Sequence, residues 1–252
     1  MTTLFSRLWR IANYSIRPGH AFPVDVVPGT ASDGQRGDNS LMSRLMPLFP
    51  LRMVAFPGSS IPLHIFEDRY KEMVGEAITA DSEFGILLGE SGGVVDVGCA
   101  MKVETVLERY PDGRFDIIAR GQSRFTVLSI NEDKAYLQGE VELFDDLDWS
   151  VVPNDLRADA LEAWLRIDGA SEGGRDAKSD PPDPTAVRLS FEIAQRVDDL
   201  DFQNTMLRMR SETERLEQFL KFVDGHVEKL AYEAKMKRVV PMNGSGHKPK
   251  GV

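Results

Sequence analysis

A single cysteine, Cys99, stands in a chain of 252 residues. Alone it can form neither an internal disulfide nor a multi-thiolate metal centre, so nothing demands an oxidising compartment and a cytoplasmic location is the expectation. No window reaches the roughly eighteen consecutive apolar residues that a membrane span requires, and no signal-peptide-length apolar run opens the chain. The string G-x-x-x-x-G-K-S/T is missing, which removes the common phosphate-cradling loop. A G-x-S-x-G elbow is missing too, because Gly121-Gln122-Ser123-Arg124 lacks the second glycine. The four histidines, His20, His64, His226 and His247, lack metal-ligand spacing. No cofactor and no metal site are expected.

Basic charge is also scarce where it would matter for a polyanion. Residues 46–146 hold 9 basic and 18 acidic side chains, and residues 147–240 hold 14 and 19. Only the ends are mildly basic, with 5 against 3 over residues 1–45 and 2 against none from Pro241. Nucleic-acid affinity rests mostly on phosphate neutralisation by lysine and arginine, so the acidic centre argues against it.

What is present is apolar material in orderly periods. At 42% hydrophobic residues the chain can bury one large core or two small ones. Residues 1–44 read as a leader. Leu4, Phe5, Leu8, Trp9 and Ala12 have helical spacing with Arg7 and Arg10 between them, consistent with a surface anchor, a transit peptide or an unstructured start, and Pro18 to Ser40 lacks any sustained period.

Residues 45–146 read as strands. Met46 to Leu51, with Pro47 and Pro50, suits an edge segment, and Ile61 to Phe66 is a second extended run. Tyr70, Met73, Val74, Ala77 and Ile78 then share one helical face. Cys99, Met101, Val103, Thr105 and Leu107 alternate with polar residues, and Phe115, Ile117 and Ala119 resume the alternation after Pro111-Asp112-Gly113. Gly121 is expected to break that strand before a further hairpin over Arg124 to Phe144. Residues 147–240 read as helices. One starts near Asn154, a second at Thr185, a short third near Asp201, and a long one after the Ser211/Glu214 capping box. The stripe Leu216, Leu220, Val223, Val227, Leu230 and Ala234 runs along that last helix. The tail at 241–252 is expected to be disordered.

Candidate chemistry is thin. His64 has Glu67, Asp68, Arg69 and Tyr70 close behind it, but a backbone-bridging role at the strand-to-helix corner is the simpler reading. Cys99 suits a small core residue, and His226 a partly solvated helix position. Arg109, Arg114, Arg120 and Arg124 would have to form one basic face to support RNA binding, while cross-strand pairing with nearby acids is the plainer expectation. Met53, Val54 and Phe56 lie on a Pro- and Gly-bounded loop, where exposed apolar side chains would serve protein binding. The opposite expectation is that they fold back onto the sheet.

Several strings together resemble one family. Pro47-Leu48-Phe49-Pro50-Leu51, Val54-Ala55-Phe56-Pro57-Gly58 and Pro62-Leu63-His64-Ile65-Phe66-Glu67-Asp68-Arg69-Tyr70 are similar to the opening of the amino-terminal substrate-binding domain of Lon proteases. Phe84-Gly85-Ile86, Val97-Gly98-Cys99-Ala100, Asp112-Gly113-Arg114-Phe115, Arg124-Phe125, Asn204-Thr205-Met206-Leu207 and Glu214-Arg215-Leu216 come after them in order. The resemblance covers about 46 to 236. It implies an α+β fold, a PUA-like antiparallel β pseudobarrel with one inserted helix followed by a carboxyl-terminal helical bundle. It also implies a non-catalytic module that binds other proteins or unfolded polypeptide segments in proteolysis or quality control, with self-association left open. The Lon ATPase and Ser-Lys protease motifs are not found, so a stand-alone Lon-domain protein rather than an enzyme is the expectation. A hydrolase and an RNA-binding PUA-like protein are the alternatives.

Overall fold

The computed structural model describes residues 43–90, 93–170 and 181–239. Residues 1–42 of the expected 1–44 leader, residues 91–92, residues 171–180 and the chain from residue 240, with the expected tail, lie outside the described residues. Those described fall into two compact units. One takes the chain up to Asp145 together with Asp199–Arg208, and the other takes Asp146–Asp198 with the chain from Met209.

The first unit is a six-stranded sheet with one helix inserted. Its strands are β1 (Arg44–Leu51), β2 (Ser60–Ile65), β3 (Glu83–Glu90), β4 (Gly93–Arg109), β5 (Phe115–Asn131) and β6 (Gln138–Phe144), and helix α1 spans Asp68–Thr79. Their order is β2-β5-β4-β3-β1-β6, and β6 pairs back onto β5, so five strands form a ring with β2 attached outside it. Every pairing is antiparallel except that of β1 with β3. Such closure removes most of the unpaired edges that an open sheet would leave. Both faces are apolar. Met46, Leu48, Leu87, Ala100, Phe125, Val127 and Val141 bring all five ring strands into one cluster. Tyr70, Met73, Val74 and Ala77 of α1 join Leu63, Ile65, Phe84, Ile86 and Cys99 in the other.

Two strand expectations change. β5 does not end at Gly121 but runs 17 residues, pairing β2 through its first part and β6 through its last. Register shifts along β4 and β5 absorb the bend that the sequence suggested as a break. β1 is not an edge strand, because Arg44–Pro47 pairs β6 and Leu48–Leu51 pairs β3. Backbone N–H groups alternate sides along a strand, and that of Leu48 reaches Leu137 O on the β6 side at 2.8 Å. Pro47, of opposite parity, therefore turns its nitrogen away from β6, while Pro50 faces the β6 side only after that ladder has ended. Neither proline removes a ladder bond.

Helix α4 (Leu200–Arg208) belongs to the strand unit. It buries Phe202, Met206 and Leu207, and Arg208 pairs with Asp96 of β4. The fully buried Arg124 of β5 donates to Leu207 O at 3.1 Å, where the helix carbonyls lack partners, and lies near Asp145 at 3.5 Å.

The second unit holds α2 (Asn154–Ala170), α3 (Leu189–Ala194) and α5 (Glu212–Val239). Ala160, Ala163, Trp164 and Ile167 of α2 are buried, as are Leu216, Phe219 and Val223 of α5. The Glu214 N–H donates to Ser211 Oγ at 3.4 Å, so the expected cap is in place. Thr185 does not open a helix. Its N–H and hydroxyl both bond Asp183 Oδ1, at 2.8 and 2.7 Å, in a proline-flanked turn, and α3 starts only at Leu189. The buried face of α5 is wider than the apolar stripe, since it includes Arg215 and His226. His226 is therefore not partly solvated; it is 5% exposed and stacked on Phe222 at 4.6 Å.

Candidate protein-docking surface

The loop between β1 and β2 is held to the ring by its backbone. Gly58 N–H donates to Gly121 O at 2.9 Å, and Gly121 N–H donates to Ser59 O at 2.8 Å. Ser59 Oγ donates to Phe56 O at 2.7 Å. A Cβ on Gly121 would lie 2.1 Å from that same Phe56 oxygen, so only glycine permits this approach. The loop consequently turns Phe56 fully inward, leaves Val54 8% exposed and half-buries Met53 against the α1 cluster. The expectation of exposed side chains on this loop is corrected for Val54 and Phe56, which fold back onto the sheet.

His64 on β2 stands opposite Asp116 on β5. Its Nδ1 is 2.5 Å from Asp116 Oδ1, and the other carboxylate oxygen accepts the Tyr110 hydroxyl at 2.8 Å. This side-chain trio replaces the expected backbone bridge. The hydrogen bond to Asp116, then burial, pushes the Tyr110 phenol up to about 12. Phe66 stacks on the imidazole at 5.9 Å, yet among the described residues no serine, threonine or cysteine hydrogen-bonds to the trio. It therefore orients an imidazole without a serine, threonine or cysteine bonded to it among the described residues.

The four arginines considered for RNA do not assemble. Arg124 is buried, Arg114 pairs with Asp112 at 2.7 Å, Arg120 lies 4.0 Å from Glu104, and Arg109 covers the Phe115 ring.

In the helical unit the site grows outward from Arg215. Its guanidinium grips both oxygens of Asp146 at 2.7 Å and also reaches Glu212 at 2.8 Å, Ser190 Oγ at 2.8 Å and Met209 O at 2.9 Å. Burial acts to lower its pKa, but the hydrogen bonds it donates to Asp146 and the charge of Glu212 outweigh it and the value is raised. Arg215 is 0% exposed, and its planar fork suits the bidentate pair. Asp146 in turn anchors the segment from Leu147 to Val151. Leu147 N–H donates to Arg210 O at 2.9 Å, Ser211 Oγ donates to Asp148 at 3.1 Å, and Asp148 Oδ1 accepts from Ser150 N–H and Oγ at 2.9 and 2.5 Å. Hydrogen bonds from the Ser150 hydroxyl and backbone, then from Ser211, hold the Asp148 carboxyl below its usual range.

With Asp148 hydrogen-bonded to Ser150 and Ser211, this segment is held in place with its apolar side chains in water. Leu147 is 74% exposed, Trp149 64% and Val151 94%, while Val187 in the turn before α3 is 80% exposed. The two stretches approach each other at Arg188, whose guanidinium lies 5.7 Å from the Trp149 ring and 6.0 Å from that of Phe191. Isolated exposed apolar residues are ordinary; a tryptophan with apolar neighbours on a hydrogen-bonded frame is the usual mark of an interaction surface. Sequence reading missed it, because Asp145-Asp146 reads as the end of a block. The signal that could have found it is the two-residue alternation of Leu147, Trp149 and Val151 beyond that pair.

Comparison with known proteins agrees with this architecture. The profile of the ATP-dependent protease La (Lon) substrate-binding domain matches residues 45–233. A crystal structure of a Lon N-terminal domain protein from Xanthomonas campestris aligns with a TM-score of 0.56 and 26% identity over 71% of this chain and 99% of that one. The N-terminal domain of the Mycobacterium avium complex Lon protease shares the fold, with a TM-score of 0.51 and 17% identity over 73% of this chain and all of that one. A Lon protease from Xanthomonas oryzae pv. oryzae is 27% identical over 204 residues, 73% of this chain but 23% of the relative. One from Parabacteroides distasonis is 30% identical over 110 residues, and there the match spans 13% of the relative. The ring of strands, the inserted helix, the helices after it and the matched profile carry one conclusion: this chain belongs to the Lon substrate-binding domain family.

Proposed function

We propose that the chain is a non-catalytic protein-binding module that takes up exposed apolar segments of partner proteins, in proteolysis or quality control. The observation that carries this reading is the frame holding Leu147, Trp149 and Val151 outward. Its membership of a family named for substrate binding supports it. Aromatic anchors of this kind dominate binding energy where a partner covers them. The loop of Met53, Val54 and Phe56 would contribute only by opening. The hydrolase alternative gains no support from a His64 with no serine, threonine or cysteine bonded to it among the described residues, nor the RNA alternative from a buried Arg124.

The test is fluorescence titration with an unfolded, carboxymethylated polypeptide. Trp149 is exposed and Trp164 is 4% exposed, so in a Trp9→Phe background burial of Trp149 by a tryptophan-free polypeptide reads as a blue shift against the emission of Trp164. Binding with that shift, weakened at least tenfold by Trp149→Ala, supports the proposal. Absence of binding, or equal binding by the variant, overturns it.

A further inference from the structure

We propose that the outer edge of β2 takes up an extended polypeptide segment of another protein as an added antiparallel strand. Among the described residues β2 lies outside the ring with β5 as its one neighbouring strand. Which of its backbone groups are already spent follows from the turn that leads into it. Gly58, at φ +83°, donates to Gly121 O while Gly121 N–H donates to Ser59 O, the bonding of a bulge whose first residue is glycine. Ser59 and Gly121 thus begin the hydrogen-bonded series. The two kinds of antiparallel pair alternate, so Ile61↔Ala119, Leu63↔Ile117 and Ile65↔Phe115 exchange the bonds. Ser60, Pro62 and His64 form the other set, with backbone groups directed away from β5, and among the described residues nothing bonds to the backbone of these three. Pro62 fits this parity, because β5 makes no use of an N–H at that position. The edge therefore offers the N–H groups of Ser60 and His64 and the carbonyls of Ser60, Pro62 and His64, in the two-residue phase that an added strand matches.

The same proline selects the occupant. Were a second copy to pair β2 with β2 about a two-fold axis at Pro62, the two prolines would face each other and the central pair would have no donor. A residue other than proline, from another chain, donates to the Pro62 carbonyl there, so every group of the edge is used. Proline on an edge strand is a recurrent guard against self-pairing. The residue brought opposite His64 lies beside it on the same face, where Phe66, 37% exposed, stacks on the imidazole at 5.9 Å, so an aromatic side chain is favoured at that place. This edge belongs to the strand unit, and its occupation does not require the Trp149 surface.

A short fluorescein-labelled peptide of threonines around one tyrosine, a strand former with little to offer the Trp149 surface, tests this by anisotropy against the full chain. Pro62→Ala supplies the missing donor and should tighten binding about fivefold, one hydrogen bond's worth, while Ser60→Pro removes a donor that β5 does not use and should weaken it about as much. Hydrogen exchange at the Ser60 and His64 amides should slow when the peptide is bound. Trp149→Ala should bind it as the parent does. No binding, or binding that neither edge substitution alters, overturns the proposal and leaves the Trp149 reading to its own titration. Loss of binding in Trp149→Ala would assign the peptide to that surface and overturn the edge. Sedimentation giving a parent dimer that Ser60→Pro dissociates would assign the edge to a second copy of the chain, and overturn it equally.

Discussion

Replacing Gly121 by alanine should unfasten the β1–β2 loop from the ring of strands. The new Cβ would sit 2.1 Å from Phe56 O and 3.0 Å from Phe56 C, both backbone atoms, and 3.3 Å from Cys99 Sγ. That carbonyl cannot swing aside freely, because Ser59 Oγ and Ser59 N–H both bond it, at 2.7 and 3.1 Å. Relief requires the loop to lift, breaking the two hydrogen bonds between Gly121 and residues 58 and 59, at about 1 kcal/mol each. Lifting also draws Phe56 partly out of a fully buried position, and complete removal of such a ring costs about 3–5 kcal/mol. The expected loss is about 2–4 kcal/mol, or a fall of roughly 10 °C or more in Tm for a unit of this size. Gly75→Ala is the control. A Cβ there meets nothing within 4 Å in the interior of α1, so the change should stabilise by about 0.5–1 kcal/mol. Urea unfolding, with hydrogen exchange at the Gly58 and Gly121 amides, measures both. A Gly121→Ala protein within about 0.5 kcal/mol of the parent, with those amides still protected, would refute the reasoning.

Two further outcomes concern the polar groups. Arg215→Ala should cost about 3–5 kcal/mol in denaturant unfolding, because it strips the main counter-charge from the buried Asp146 and Glu212. Arg166→Ala, which breaks an exposed pair with Asp224, should cost less than about 1 kcal/mol, and equal effects would contradict the account. Asp116→Asn should bring the Tyr110 phenol down from about 12 toward its ordinary value of 10, seen as tyrosinate absorbance gained at lower pH than in the parent. The charged carboxylate disfavours an adjacent phenolate and the neutral amide does not, so an unchanged titration would refute that assignment.

Much of the first unit was legible because its signals are local. Period-two alternation marks β4 and β5, period-3.6 spacing marks α1, and the order of short motifs points to the family; each needs only neighbouring residues. The candidate surface was less legible. Burial of Phe56 depends on a backbone contact with Gly121, 65 positions away in the chain, and exposure of Trp149 depends on Asp146 and Asp148 being claimed by residues near 190 and 211. An acid pair that reads as the end of a block became an anchor, and two of the three apolar residues on a loop whose exposure the sequence left open became core.

The amino-acid sequence alone determined the acidic balance, the single cysteine, the want of a phosphate-loop string, the succession of strands and then helices, and the family. These depend on composition and short-range periodicity. Tertiary structure decided which side chains meet water. It closed β6 onto β5, made β1 an interior strand despite two prolines, sent α4 to the strand unit, and buried Arg124 and Arg215 as the anchors of their surroundings. Those outcomes turn on hydrogen-bond partners and packing distances set by residues remote in sequence, which no local pattern encodes.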